Sequence, residues 1–189
     1  MMLVTDSESD YTARPVELTD YGWLCETLED FPLNGGFSMV QTQNELNAMR
    51  RLYRVSRGVA VVVLHDLNPI SITTMARKNK ADDFAVITIQ ATHPDYRQQG
   101  HGSMTSLMRG YIAFEMEQLD YLAYDVEQGN LPGEGLVRQW EGVHDRSPDV
   151  NAGRVEPDKT YNRSTFTSAD WSAFVVANSI DLARFTFTP

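Results

Sequence analysis

The chain has 189 residues, of which 42% are hydrophobic and 22% are charged. That length and apolar content suit one compact domain with a single core. No window has the apolar length of a membrane span, and the first ten residues are acidic rather than basic, so we expect a soluble, cytoplasmic protein. The single cysteine, Cys25, excludes an intrachain disulfide.

The formal net charge is −10. The electric field of a protein with this negative charge repels nucleic acid and anionic lipid, so we expect neither as a partner. Any other polyanion needs a locally electropositive site to bind. The field mildly favours a cationic ligand, although many acidic proteins are simply solvated by their carboxylates. The histidines have no ligand-like spacing with each other or with Cys25, so no metal site is expected. They are His65, His93, His101 and His144.

Apolar periodicity, capping patterns and turn residues predict the secondary structure. The strand over 84–91 is apolar on both faces, which is typical of a central position in a sheet. In chain order we predict a flexible start over 1–10, a strand over 11–16, a helix capped by Thr19 or Asp20, a loop over 31–37, a helix from a capping box at 42–45 to about 57, strands over 59–64, 70–77 and 84–91, a helix from 102 to about 118 and a strand over 119–126. Beyond 127 we predict a short helix over 133–140, a polar loop over 144–162, a helix or strand over 171–177 and a closing strand over 184–188.

This order of elements predicts an α+β fold. Consecutive strands pair antiparallel, whereas the last crossover passes through a helix and makes a parallel pair. We therefore expect one domain over residues 11–189, with a mixed central β-sheet flanked by helices. Residues 144–189 form an atypical C-terminal part of that domain.

The most informative stretch is residues 91–103, which read Ala-Thr-His-Pro-Asp-Tyr-Arg-Gln-Gln-Gly-His-Gly-Ser between the buried strand and the next helix. Gly100 and Gly102 allow a tight turn and remove side chains from one face, so successive N–H groups point outward where the helix begins. The helix dipole favours an anion at this end, and Arg97 adds a full positive charge. The pattern predicts a phosphate-binding turn.

Arg-x-x-Gly-x-Gly preceded by His-Pro-x-Tyr resembles motif A of the GNAT superfamily of N-acetyltransferases, and the order of elements agrees from Tyr11 to about Val143. The resemblance implies an acyl-CoA-dependent N-acyltransferase. Its acyl donor would be acetyl-CoA, which is a substrate, and its acceptor would be an amine of a small molecule or a protein.

The resemblance also implies which residues hold the cofactor. The pantetheine arm would lie along residues 90–92, and the pyrophosphate would meet backbone groups over 98–103 beside Arg97. An asparagine after the next strand would contact the cofactor as well. The residues so implied are Gln90, Ala91, Thr92, Arg97, Gln98, Gln99, Gly100, His101, Gly102, Ser103 and Asn130. We expect His93 to be structural and the His101 side chain to face solvent.

Acyl transfer from a thioester needs a neutral amine, a polarised carbonyl and a stabilised thiolate. The family's frequent proton-donating tyrosine is replaced here by Val137, and residues 84–92 contain no carboxylate to serve as a base. Our catalytic candidates are Tyr124 and Asp125. Each also has a non-catalytic interpretation: Tyr124 as an aromatic residue of the core, and Asp125 as a solvated charge at the end of a strand. Further candidates are Glu26, Glu29, Glu127 and Tyr161.

Two other functions stay open. Val137 and the missing strand carboxylate favour a module of this fold without turnover, which would act as a binding or structural component of a larger assembly. The intact turn argues against it, since a structural module has little need of a phosphate site. A nucleic-acid-modifying enzyme is disfavoured by the net charge. The sequence does not decide whether the chain forms a homodimer or joins a larger assembly.

Overall fold

The computed structural model describes residues 3–29, 37–54, 58–77, 79, 81–127, 135 and 161–188. Within them the strands are β1 (Leu3–Asp6), β2 (Tyr11–Pro15), β3 (Gly58–His65), β4 (Asn68–Ala76), β5 (Phe84–Thr92), β6 (Tyr121–Glu127), β7 (Tyr161–Thr167) and β8 (Phe185–Thr188). The α-helices are α1 (Tyr21–Leu28), α2 (Met39–Arg54), α3 (His101–Gly110) and α4 (Ser168–Ala177).

The described strands form one sheet in the order β7-β6-β5-β4-β3-β2-β1-β8. Strands β5 and β6 pair in parallel, as a crossover through α3 requires, and the other neighbours pair antiparallel. The predicted hairpin of β3 and β4 is confirmed. The predicted α+β fold, a single domain with a mixed sheet between helices, is confirmed as well.

Both faces of the sheet are covered. Along β3, Val61 and Val63 pack into the core beneath α3 and α4, whereas Ala60 and Val62 pack into the core beneath α1 and α2. All four are almost fully buried, because alternate side chains of a strand point to opposite faces. No helix in the part of the chain that the structure describes is both long and apolar enough to cross a lipid bilayer.

The start of the chain was expected to be flexible over residues 1–10, and this is wrong for residues 3–6. Strand β1 lies between β2 and β8, with Val4 fully buried. The Asp6 carboxylate, which is buried, accepts hydrogen bonds from Arg184 Nε at 2.7 Å and from Arg184 Nη2. The acidic sequence hid this strand because one of its two partner strands, β8, lies at the other end of the chain.

The two early helices compare differently with the prediction. Asp20 is the N-cap residue of α1, as predicted, but its side chain accepts a hydrogen bond from the Glu17 N–H at 2.8 Å, inside the 3-10 turn that precedes α1, and makes no capping bond to α1 itself. Helix α2 begins three residues before the predicted capping box, and Ser38 and Gln41 form the reciprocal bonds instead. Thr42 is buried within the helix.

The later elements also differ in detail. The helix predicted from 102 to about 118 is α-helical only to Gly110 and continues as a π-helical segment, Tyr111–Met116. A polar loop was predicted over 144–162, but its last two residues, 161 and 162, belong to β7. Strand β7 pairs with β6. Residues 171–177 are helical, and Thr167 and Asp170 cap that helix reciprocally. The helix predicted over 133–140 falls almost entirely outside the described residues.

The Asp6–Arg184 pair joins the two ends of the chain, so we predict that Asp6→Asn lowers the free energy of unfolding by about 2 kcal/mol at neutral pH. Burial alone would raise the pKa of Asp6, but hydrogen bonds from Arg184, Ser9 and the Glu8 N–H outweigh it and hold the pKa below the ordinary 3.8. The carboxylate therefore stabilises the fold above that pH, and its contribution is lost as the pH falls further. Urea unfolding of both proteins across this range measures the difference.

Glu8→Gln is the matched control, because Glu8 is exposed and also lies 2.9 Å from Arg184. We expect it to change stability by well under 1 kcal/mol, as for a surface ion pair. Equal effects of the two substitutions would contradict a special role for the buried carboxylate.

Candidate functional site

Strands β5 and β6 separate partway along their length. They pair from Phe84 opposite Tyr121 to Ile87 opposite Tyr124, and there the pairing ends although β5 continues to Thr92. On the β4 side, Met75 is opposite Ile87 and Thr74 is opposite Ile89, so Thr88 is an extra, bulged residue. A bulge increases local twist and bends its strand away from a neighbour. The backbone edge of residues 88–92 that faces β6 is therefore open to another extended chain.

Two threonines hold the bulge. Thr74 and Thr88 are hydrogen-bonded through their hydroxyl groups, and the Ile89 N–H donates to Thr74 Oγ1 at 2.9 Å. Because the bulge adds one residue, it also changes which side of the sheet the later residues of β5 face. Ile87 packs toward α3, whereas Ile89 and Ala91, two and four residues later, pack toward α1 and α2. Gln90 consequently points to α3.

The open edge leads directly into the predicted turn. Gln98 and Gly100 have left-handed backbones, with φ of 62° and 84°, and Gly100 is the N-cap of α3. Alternation of such residues with ordinary ones turns N–H groups toward a common concave surface, and the first N–H groups of a helix have no partner within it. Arg97 donates from Nε to the Thr92 carbonyl at 3.0 Å, which keeps this exposed cation at the end of β5.

His93 shapes the turn. Its Nδ1 accepts the Asp95 N–H at 3.3 Å, and its Nε2 donates to the Glu26 carboxylate at 3.2 Å. The ring is 8% exposed and stacks on Trp23. Because both ring nitrogens are engaged, the geometry supports a structural role and gives the imidazole no free lone pair for proton abstraction.

His101 was expected to face solvent, and this is wrong. The side chain is 6% exposed, and its Nδ1 lies 2.6 Å from the Tyr11 hydroxyl. The His65 ring centroid is 5.3 Å away and the Tyr96 ring packs edge-on. The left-handed Gly100 turns the next residue inward, so only the backbone of His101 is presented at the turn. Burial lowers the pKa of His101, and the nearby His65 lowers it further.

A buried polar group lies behind the separated strands. Arg109, which is 2% exposed, donates to Gln90 Oε1 and lies 3.5 Å from Thr73 Oγ1. Its guanidinium carbon is 5.6 Å from the ring centroid of Tyr124, which is 8% exposed. Burial raises the pKa of Tyr124, and Arg109 opposes that rise. Gln90 Nε2 also donates to the Gly102 carbonyl and to Ser106 Oγ.

The residues predicted to bind a cofactor thus fall along one path. Residues 90–92 lie on the open edge of β5, and residues 97–103 form the turn and the first residues of α3. Tyr124 lies on β6 where the strands separate. The Asp125 side chain and Asn130 lie outside the described part of the chain.

Arg109 was not among the residues predicted from the sequence. Thr105, Met108 and Ile112 are buried at helical spacing along α3 and the π-helical segment after it, and Arg109, in the last turn of α3, lies on the same face. That spacing was visible in the sequence, but a charged residue is normally assigned to solvent. A cation in the middle of an apolar helical face was the available signal.

No protein-family model matches the chain, and no curated protein sequence matches it. Solved structures do. A chimera of spermidine N-acetyltransferase SpeG from Vibrio cholerae and hSSAT has a TM-score of 0.69 at 14% identity, covering 87% of this chain and 99% of that one. RimJ of Mycobacterium smegmatis, in complex with CoA-disulfide, has a TM-score of 0.67 at 16% identity, covering 95% of each chain. A GNAT-family acetyltransferase from Bacillus anthracis has a TM-score of 0.67 at 12% identity, covering 88% and 99%.

These likenesses establish the fold. The chain has the fold of the GNAT acetyltransferases, as the motif over residues 91–103 predicted. At such identities the likeness concerns architecture, and the chemistry has to be argued from the residues of the site.

The buried His101 generates a prediction about pH. Its lowered pKa means that the unfolded chain takes up a proton more readily below the ordinary value of 6.5. Stability is therefore complete above that pH and falls as the pH falls below it. His101→Gln cannot titrate and keeps a partner for Tyr11, so we expect its unfolding free energy to depend less on pH between about 7 and 5 than that of the wild type.

Denaturant unfolding at several pH values makes the comparison. The window lies above the range in which Asp6 titrates, which separates the two groups. His65→Gln should show a smaller change in slope than His101→Gln, because it removes only the neighbouring charge. If the unfolding free energy of the wild type and that of His101→Gln changed equally with pH, this would contradict the lowered pKa of His101.

Proposed function

We propose that this chain is an acyl-CoA-dependent N-acyltransferase that moves an acetyl group from acetyl-CoA to an amine. The observation that carries the proposal is the open edge of β5, which begins at the Thr88 bulge and leads into the left-handed turn at Gly100. Pantetheine is an extended chain with amide groups, so it can pair with such an edge as a strand would. Its diphosphate then meets the N–H groups of the turn.

The electrostatics of the turn suit this ligand despite the acidic protein. The net charge of −10 opposes a polyanion. Local N–H dipoles, the N-terminus of α3 and the Arg97 guanidinium act at short range, where screening is weak. RimJ, which has this fold, was solved in complex with CoA-disulfide, and this supports a CoA compound as the ligand.

The order of the turn and the open edge of β5 supports a location for acyl transfer. If the phosphates lie at the turn, the acyl end of the arm lies near the start of the split, close to Gln90 and Tyr124. A β5 N–H there can polarise the thioester carbonyl. Tyr124 is our proposed proton donor to the departing sulfur, in place of the tyrosine that Val137 replaces. Asp125, the next residue on β6, is the proposed acceptor of the proton from the amine.

The acceptor is an amine of a small molecule or a protein. SpeG is named for spermidine, a polyamine, and polyamines are therefore the first acceptors to test. The negative net charge of this chain is compatible with a cationic acceptor.

Cofactor binding is the first test. Calorimetric titration with acetyl-CoA should show saturable binding to the wild type, which Gly100→Trp abolishes because an indole fills the turn. Gly100→Ala is the matched control: it carries the strain of a left-handed residue, about 1 to 2 kcal/mol, without the bulk. We expect it to bind within about tenfold of the wild type. Absence of binding to the wild type would overturn both the site and the activity.

Turnover is the second test. Acetyl-CoA-dependent thiol release should occur with at least one of polyamines, aminoglycosides and peptides, and Tyr124→Phe should lower kcat about a hundredfold. Tyr121→Phe, on the same strand but stacked on Phe84, is the control and should leave kcat unchanged. Binding without thiol release from any acceptor would favour the alternative, a module that binds the cofactor without turnover.

A further inference from the structure

The Gln90 side chain joins the open edge of β5 to helix α3. Its Nε2 donates to the Gly102 carbonyl at 3.2 Å and to Ser106 Oγ at 3.0 Å. Its Oε1 accepts a hydrogen bond from Arg109. Residues at this spacing lie in a row along one face of a helix. One side chain on the edge strand thus contacts three successive turns of α3, beginning with the turn that starts the helix.

Both N–H donors of the Gln90 amide are used within the protein. A side-chain amide carries two such donors, and here they bind Gly102 and Ser106. The partners also fix the orientation of the amide, because a main-chain carbonyl can only accept a hydrogen bond and a guanidinium can only donate one. Exchanging the amide nitrogen and oxygen would oppose two acceptors at Gly102 and two donors at Arg109. The side chain therefore acts on the fold, and contacts with a ligand are left to the β5 backbone.

Residues 88–92 have a paired side and an open side. Strand β4 pairs with β5 as far as Thr92, whereas β6 pairs with it no further than Ile87. A stretch of strand that lacks its second neighbour has fewer contacts to fix its position. Gln90 lies in the middle of this stretch, and its hydrogen bonds to α3 provide a further contact there.

Helix α3 has other attachments to the sheet. The His101 Nδ1 lies 2.6 Å from the Tyr11 hydroxyl on β2, and Thr105 is hydrogen-bonded to Ser71 on β4. Neither contact involves β5. We therefore expect the helix and the turn to stay folded when Gln90 is replaced, while the position of the open edge relative to the turn becomes less well defined.

We propose that Gln90 is a positioning residue for the cofactor, which fixes the open edge of β5 relative to the turn so that both parts of one ligand bind at once. The inference rests on the proposed function, because it assumes an extended arm on the edge and a diphosphate at the turn. Two linked parts of a ligand bind more tightly than either part alone only if the geometry lets both engage together. A misplacement of about 1 Å is enough to lose much of this advantage.

The test compares the whole ligand with its two parts. Acetyl-CoA carries both parts, S-acetylpantetheine carries the arm, and ADP carries the diphosphate. Calorimetric titration measures the affinity for acetyl-CoA, and titration followed by NMR measures the weaker affinities of the fragments. Gln90→Met keeps a long, unbranched side chain but loses the amide. We expect it to weaken acetyl-CoA binding at least about tenfold and each fragment by less than about twofold.

The fragments distinguish positioning from other roles of Gln90. Weakening of S-acetylpantetheine by as much as acetyl-CoA would mean that the side chain contacts the arm directly. Equal weakening of ADP would mean that the turn itself is lost. Either result overturns the positioning role, because positioning affects only a ligand that spans the edge and the turn.

Ser106 provides a second variant, because its side chain is fully buried and cannot touch a ligand. Ser106→Ala removes one partner of Gln90, so we expect acetyl-CoA to bind about threefold more weakly. In a chain that already carries Gln90→Met, the same substitution should change the affinity by less than about 1.5-fold, because its effect passes through Gln90. Additive effects of the two substitutions would overturn the proposal.

A glutamine elsewhere serves as the matched control. Gln41, at the start of α2, is exposed and accepts hydrogen bonds from Ser38. Helix α2 covers the other face of the sheet, and Gln41→Met should bind acetyl-CoA and both fragments as the wild type does.

The outcomes separate the inference from the proposed function. Failure of the wild type to bind acetyl-CoA overturns both. Wild-type affinity for acetyl-CoA in Gln90→Met and in Ser106→Ala overturns the role of Gln90 alone. If a fragment binds too weakly to measure, additivity or non-additivity of the two substitutions with acetyl-CoA decides. If Gln90→Met does not fold, weaker acetyl-CoA binding by Ser106→Ala supports the proposal and unchanged binding overturns it.

Discussion

The candidate site depends on the bulge at Thr88. A sheet normally satisfies the N–H and C=O groups of an inner strand on both sides, and leaving them open is costly unless something else pairs with them. Strand β5 has β4 on one side from Val86 to Thr92, but it loses β6 after Ile87 because the bulge bends it away. The hydroxyl groups of Thr74 and Thr88 hold that distortion. The result is an open strand edge at the centre of a sheet, where a ligand can complete the pairing.

The position of the bulge, just before the turn, gives the site its shape. Strand β5 ends a few residues before the left-handed Gln98 and Gly100, so the open edge and the turn form one continuous surface. An extended arm and an anionic group on the same ligand match these two parts. The chain can be acidic because the proposed ligand contacts are backbone dipoles and the Arg97 guanidinium, which act over a few ångströms, whereas the net charge acts over longer and better screened distances.

The accuracy of the sequence predictions depended on how local each signal was. The turn was predictable because Gly100 and the residues before it fix their own backbone, and the central place of β5 followed from its apolar residues. The bulge was not predictable, because Thr88 is displaced by its pairing with Thr74 on another strand. Strand β1 depends on Arg184 at the far end of the chain, and the burial of His101 depends on Tyr11 and His65. Residue types at each of these positions fit several structures, and tertiary contacts choose among them.

Arg109 is a position at which the local rules for a helix and the fold disagree. Local rules place a charged residue on the solvent face of a helix, and the structure buries this one. Departures from such rules collect at functional sites, because selection there tolerates a cost in stability. Here the departure lies behind the point where β5 and β6 separate, in contact with one residue from each strand. A packing role would be satisfied by a methionine, so the volume of the side chain does not by itself account for an arginine at this position.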